Sequence, residues 1–236
     1  AYGLAVLRVK VGYGRVATPE EVESAIAAHP AAKAVFVTHS ETSTGALFPV
    51  HEIAKVVRAK GLLTVVDAVT SFGVYDLHFD GSLLDAVVWG SQKGMMIPPG
   101  LAYVCYGPRA WAAAEKASLP KFYFNLTKAR ASLEKGDTPF TPAISLVIAA
   151  HVAASMMAAE GRENVFLRHQ RNADATRAAV AALGLPLFAE VPTNAVTAIA
   201  VPAGIDGGAV LKTMEKRYGV KIAGGQDSLK GKIFRL

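Results

Sequence analysis

With 236 residues, 52% of them hydrophobic and 19% charged, the chain can bury a substantial core as one large α/β domain or one domain with part of a second. Its net charge of +6 is spread over separate groups (Lys55, Arg58 and Lys60; Lys212, Lys216 and Arg217), a solvated pattern that argues against a nucleic-acid-binding face. Its one cysteine, Cys105, excludes an intramolecular disulfide and fits the cytoplasm, and apolar runs such as Ala143–Ala150 are too short for a membrane span.

Ala1–Lys10 reads as chain interior rather than a signal peptide, and Leu4–Val11 as a first strand. Thr18 caps a helix over Pro19–Ala28, with Pro in the first helical position and acids in the first turn. Ala34–Thr38 is a short apolar run of the kind buried on both faces of a sheet. A helix over Val50–Lys60 closes at Gly61, and Leu62–Val66, Asp85–Trp89 and Leu101–Tyr106 repeat the strand signal. This alternation predicts βαβ crossovers and a mostly parallel sheet. Long helices follow over Ala143–Ala159 and Glu163–Leu183, parted at Gly161. Val196–Val201, a helix over Gly207–Tyr218 and a strand at Val220–Ile222 then predict a smaller α/β unit. The domain boundary falls near residue 160, giving 1–160 and 161–236.

Open α/β sheets bind ligands at the carboxyl ends of their strands. Three polar clusters sit at such ends: His39-Ser40-Glu41-Thr42-Ser43-Thr44-Gly45, Asp67-Ala68-Val69-Thr70-Ser71, and Gly90-Ser91-Gln92-Lys93-Gly94. Lys93 directly follows a buried strand. Half-buried there, its amine loses hydration and becomes a nucleophile towards a carbonyl; the plainer alternative is a lysine snorkelling to water. Asp67 ends an apolar run, where an unpaired carboxylate is costly. It is either a helix N-cap, with Thr70 and Ser71 competing, or the partner of a buried cation such as a protonated pyridine nitrogen. Arg235, between Phe234 and Leu236, carries a permanently charged fork suited to a carboxylate. His39 is the histidine nearest these clusters and takes no catalytic step, and Cys105 reads as core.

These clusters, with Val66-Asp67-Ala68-Val69-Thr70-Ser71-Phe72-Gly73 and Pro98-Pro99-Gly100, resemble the class V aminotransferases, in the alanine–glyoxylate, serine–pyruvate and serine–glyoxylate branch. The resemblance covers nearly the whole chain and implies a fold-type I α/β transferase: a mostly parallel sheet with helices on both faces, a smaller C-terminal domain, and both ends truncated. It implies pyridoxal 5′-phosphate (PLP) as cofactor, no metal, and a homodimer with a shared active site. Lys93 would hold PLP as a Schiff base, the internal aldimine, and shuttle the proton between substrate and cofactor. Asp67 would keep the ring nitrogen protonated, Val69 would pack on the ring, Thr42 would bond near the phenolic oxygen and phosphate, and Gln92 would touch the phosphate. A threonine from the second subunit would reach the phosphate from Gly136–Pro142, where Thr138 and Thr141 both qualify and Thr138 is favoured. Arg235 would clamp the α-carboxylate.

The implied reaction is ping-pong transfer of an amino group from an alanine- or serine-like donor to glyoxylate or pyruvate through pyridoxamine phosphate. One alternative is a cysteine desulfurase-like lyase, against which stand Gln92 in place of the usual His and the lack of a cysteine after Cys105. Another is an inactive fragment kept as a binding or structural partner.

Overall fold

The computed structural model describes residues 3–236; Ala1 and Tyr2, part of the segment read as chain interior, lie outside them. Helix α1 (Pro19–Ala28) forms where expected. Thr18 accepts from the Glu21 backbone and the Glu21 carboxylate returns to Thr18 N, so two N–H groups at the helix start are satisfied reciprocally. Strand β1 (Ala34–Thr38), the short hairpin β2 (Ser40–Glu41) and β3 (Ala46–Leu47), helix α2 (Val50–Ala59) and strand β4 (Leu63–Asp67) follow. Strands β5 (Ala86–Gly90) and β6 (Ala102–Tyr106) complete a four-stranded sheet in the order β1-β4-β5-β6. The first three are parallel, whereas β6 runs antiparallel to β5. No helix lies between β5 and β6, and a parallel return needs a crossover of about a dozen residues or more.

Strand alternation sets the core. Val37, Val66 and Val87 stand in register and meet α2, whose Val50, Ile53 and Val57 are almost fully buried. Each such side chain contributes about 1.5–3 kcal/mol of burial free energy. The opposite face carries Phe36, which is 75% exposed, so β1 is not buried on both faces as its apolar run suggests. The predicted strand over Leu4–Val11 does not form. Its backbone makes no ladder, and Leu4, Val6, Leu7 and Val9 are exposed, because no strand among the described residues pairs with it.

Helices α3 (Pro108–Lys116), α4 (Leu126–Leu133), α5 (Ile144–Glu160) and α6 (Arg162–Ala182) lead to the second half. Among the described residues no single helix is long and apolar enough to cross a membrane; α5 and α6 together would be, but they are bent 86°. Strand β7 (Ala198–Ala200), helix α7 (Gly207–Tyr218), strand β8 (Ala223–Gly224) and strand β9 (Ile233–Arg235) form a three-stranded antiparallel sheet, order β7-β9-β8, backed by α7. Asp206 caps α7 and Gly219 ends it in a left-handed turn. The strand expected at Val220–Ile222 is displaced to Ala223–Gly224, where the chain first comes alongside β9.

Candidate active site

Parallel pairing brings the polar clusters to one edge of the sheet. Thr38, Asp67 and Val88 are in register, so the turn after β1, the end of β4 and the segment after β5 leave side by side. The Asp67 carbonyl accepts the His39 amide at 2.9 Å, which ties the first two clusters directly. The Asp67 carboxylate is half-buried. Its Oδ1 accepts the Val69 amide at 2.8 Å, and Oδ2 takes no hydrogen bond among the described residues, leaving it for a cation. Ser71 and Phe72 amides return to the Ala68 carbonyl, so Thr70 is turned back to share a hydroxyl hydrogen bond with Thr42.

Lys93 stands in a tight turn closed by the Met96 amide on its own carbonyl. Of the two readings of its side chain, half-buried amine or lysine reaching to water, the structure matches the second: Lys93 is exposed, because the turn carries it past the strand end. The turn is nonetheless fixed. Buried Ser91 donates to the Pro98 carbonyl at 2.8 Å and accepts the Leu101 amide at 3.2 Å. Gly94 lies so close to the Asp67 cluster that a Cβ there would stand 1.9 Å from the Phe72 carbonyl oxygen, so only glycine lets the two turns meet. Gln92 is exposed, with its amide folded over Gly90, and Val69 is half-buried.

The C-terminal sheet contributes the remaining charge. Arg235 sits on the central strand β9 and donates through Nε to the Gly224 carbonyl at 2.9 Å and through Nη1 to the Thr42 carbonyl at 3.1 Å. A guanidinium, two hydroxyls, a carboxylate with one free oxygen and a tethered lysine turn are thus held together by residues far apart in sequence. This donor set fits PLP and an amino-acid carboxylate: an anion for a protonated ring nitrogen, hydroxyl donors for oxyanions, an amine for a carbonyl, and a fork for the substrate.

A family model described as aminotransferase class-V matches residues 1–234. The chain belongs to the class-V aminotransferase family. It is 47% identical to a Synechococcus protein named soluble hydrogenase, small subunit, covering all of this chain and 62% of that protein. It is 35% identical to a serine–glyoxylate aminotransferase of Methylorubrum extorquens, over 99% of this chain and 61% of the relative. The crystal structure of a subgroup IV aspartate aminotransferase from Thermus thermophilus superposes with a TM-score of 0.88 at 32% identity, over 99% of this chain and 65% of the other. The chain therefore spans about three-fifths of the length of these relatives.

Thr138 and Thr141 are expected to serve the site of a second subunit rather than that of their own chain. Thr138 and Thr141 are exposed in the connection before α5 and bond to none of the residues above; Thr138 Oγ1 donates to the Phe140 carbonyl at 2.8 Å. A cavity of about 300 Å³ is not lined by Asp67. It opens on the other face of the sheet, lined by Phe72, Trp89, Cys105, Met157 and Phe166. Cys105 is half-buried there and burial raises its thiol pKa.

Three residues of this region carried no signal in the sequence: Tyr75, Thr193 and Arg177, which meet through contacts over a hundred residues apart for Tyr75 and Thr193. His39 is the one histidine here with a large shift. It is buried against the Tyr75 ring, its Nδ1 has no partner, and burial, with His51 adding to it, holds its pKa down to about 4 from 6.5. A group whose folded pKa is depressed and whose neutral form is the native one stabilises above pH 6.5 and loses that stability as pH falls towards 4. Urea unfolding at pH 7 and pH 4 should show a loss on the order of 3 kcal/mol from this residue. A His39→Gln variant should lose correspondingly less across the same range; equal slopes for both proteins would refute the assignment.

Proposed function

We propose that the chain serves a PLP-dependent transamination in which an alanine- or serine-like amino acid donates its amino group to a small 2-oxoacid such as glyoxylate or pyruvate. The observation that carries this reading is the direct bond from Arg235 to Thr42, which joins a carboxylate fork to the same turn that holds Thr70 and the Asp67 cluster. Membership of the class-V family and the serine–glyoxylate relative support the substrate class. The hydrogenase activity in the Synechococcus relative's name belongs to that protein and is not proposed here.

When bound, PLP supplies an electron sink for the pair released at the substrate α-carbon. Lys93 would hold it through its amine and, once freed by substrate, carry the proton at the α-carbon. Asp67 would hold the proton on the ring nitrogen through its free Oδ2. Val69 would cover one ring face, Thr42 would donate to the phenolic oxygen or phosphate, and Gln92 would reach the phosphate. Arg235, already anchored by two carbonyls, would offer its remaining N–H groups to the α-carboxylate.

We further read 1–160 as cofactor-binding domain and 161–236 as the small domain that supplies Arg235, with two copies forming a homodimer. Exposure of Thr138 and Thr141, next to Phe140 and the exposed Phe122 (76%) and Tyr123 (62%) that pack on it, supports a threonine from one copy reaching the phosphate of the other.

Incubation with PLP, L-serine or L-alanine, and glyoxylate should yield glycine with ping-pong kinetics; absence of glycine with both donors refutes the reading. Arg235→Ala should raise the donor KM about tenfold to a hundredfold, the worth of one to two charge-assisted hydrogen bonds, while leaving PLP binding intact. Steady-state kinetics with a spectroscopic PLP titration check both halves.

A further inference from the structure

We infer that Tyr75 and Thr193 form a positioning node that sets where Arg235 stands relative to the Thr42 turn, and thereby the affinity for the substrate carboxylate. The inference rests on the reading of Arg235 given above and assigns Tyr75 and Thr193 a positioning role only.

Thr193 is fully buried, and its polar groups reach into the first half of the chain. Its amide donates to the Gly45 carbonyl at 2.8 Å, and its Oγ1 accepts from Ser40 Oγ at 2.9 Å and from the Ala195 amide at 3.2 Å. Tyr75 follows the Asp67 turn. Its hydroxyl accepts the Asn194 amide and lies 3.4 Å from Thr193 Oγ1. Arg177 of α6 brackets the same two residues, donating to the Thr193 carbonyl at 3.3 Å and to Asn194 Oδ1 at 2.9 Å.

A few residues later this segment becomes the edge of the C-terminal sheet. Thr197 and Leu236 exchange both backbone hydrogen bonds at 2.9 Å, and Ala198 pairs with Arg235. The path then closes on itself, because Arg235 donates back to the Thr42 carbonyl, two residues from Ser40. There is no slack in the ring. A Cβ on Gly45 would stand 3.1 Å from both the Ala198 Cβ and the Val196 carbonyl oxygen. Apolar packing alone would hold the two halves together yet tolerate sliding. Directional hydrogen bonds centred on the buried Ser40–Thr193 pair fix the register, so loss of one partner is transmitted along the strand.

The test uses the full chain carrying Tyr75→Phe, which keeps the ring against His39 and removes only the hydroxyl. Amide hydrogen exchange should quicken at Asn194 and also at Thr197 and Leu236, about threefold to tenfold as for the loss of one ordinary hydrogen bond. Propionate, a carboxylate that cannot transaminate, should bind correspondingly more weakly by calorimetry. The donor KM should rise by the same factor with kcat within about twofold. Thr193→Val should reproduce this pattern and Thr193→Ser should retain wild-type behaviour. Unchanged exchange at Thr197 and Leu236 in both Tyr75→Phe and Thr193→Val overturns the inference, as does a parallel fall of kcat and propionate binding with the folded fraction. If the wild-type chain makes no glycine, the exchange and propionate measurements still decide the node, so its failure and that of the transamination reading are separable.

Discussion

Lys93→Ala should lose covalent retention of PLP altogether and lower the rate of glycine formation by about 10²- to 10⁴-fold, the usual worth of a positioned proton-transfer group. In the wild-type protein, borohydride treatment after PLP loading should bleach the visible band and leave a pyridoxyl label on the peptide containing Lys93. The surrounding structure makes this a clean experiment. Lys93 is exposed in a turn whose shape is set by the Ser91 bonds to Pro98 and Leu101 and by the contact of Gly94 with Phe72. Removing the Lys93 side chain therefore deletes the amine without opening a cavity, and the unfolding free energy should change by no more than a surface substitution allows, about 0.5 kcal/mol. A label on another lysine, or an unlabelled protein that still makes glycine, would sink the assignment. Loss of the label together with a large fall in stability would instead show that Lys93 holds the turn.

Strand-end chemistry was readable in the sequence because each cluster follows a short apolar run, and a sheet edge is where polar side chains can stand beside a core. Asp67, Thr42 and the Lys93 turn emerge adjacent for that reason. Local signals also fixed helices such as α1, where Thr18, Pro19 and Glu21 together specify a start, and α7, which begins after Asp206 and ends at Gly219. What depends on a distant partner was not readable. Leu4–Val11 has the apolar character of a strand, yet a strand exists only when paired, and here none forms. The antiparallel course of β6 follows from the missing crossover helix, a fact about the Ser91–Leu101 connection rather than about the strand's own residues. Exposure of Lys93 depends on a turn stapled by Ser91, an unremarked serine in the motif. Tyr75 meets Thr193 across 118 residues, and neither sits in a pattern that announces a partner.

Asp85 is the other residue whose importance only the fold discloses. In the sequence it only opens the strand run Asp85–Trp89, but its side chain is 3% exposed and gathers two arginines at the end of the sheet opposite Asp67. Arg58 donates to Oδ1 at 3.1 Å, Arg109 to both oxygens at 3.2 Å, and the Thr64 amide to Oδ2 at 2.9 Å. Arg109 also holds the Gly61 and Leu62 carbonyls, so the cluster locks the turn between α2 and β4. In Asp85→Ala two guanidinium groups face each other without their anion, and the buried Thr64 amide loses its acceptor. Breaking a buried ion pair by removing one partner costs about 3–5 kcal/mol, and because the arginine side chains are 34% and 32% exposed, water offsets part of it and the lower figure applies. For a chain of this size that corresponds to a thermal midpoint lower by roughly 6–12 °C. Asp85→Asn keeps an acceptor for Thr64 and loses only the charge, so its drop should be smaller. Because the cluster stands at the far end of the strands, kcat per folded molecule should be unchanged in both variants. A midpoint unmoved in Asp85→Ala would mean that solvent already screens both arginines, whereas a fall in kcat without a fall in stability would mean that the strand ends are coupled through the sheet.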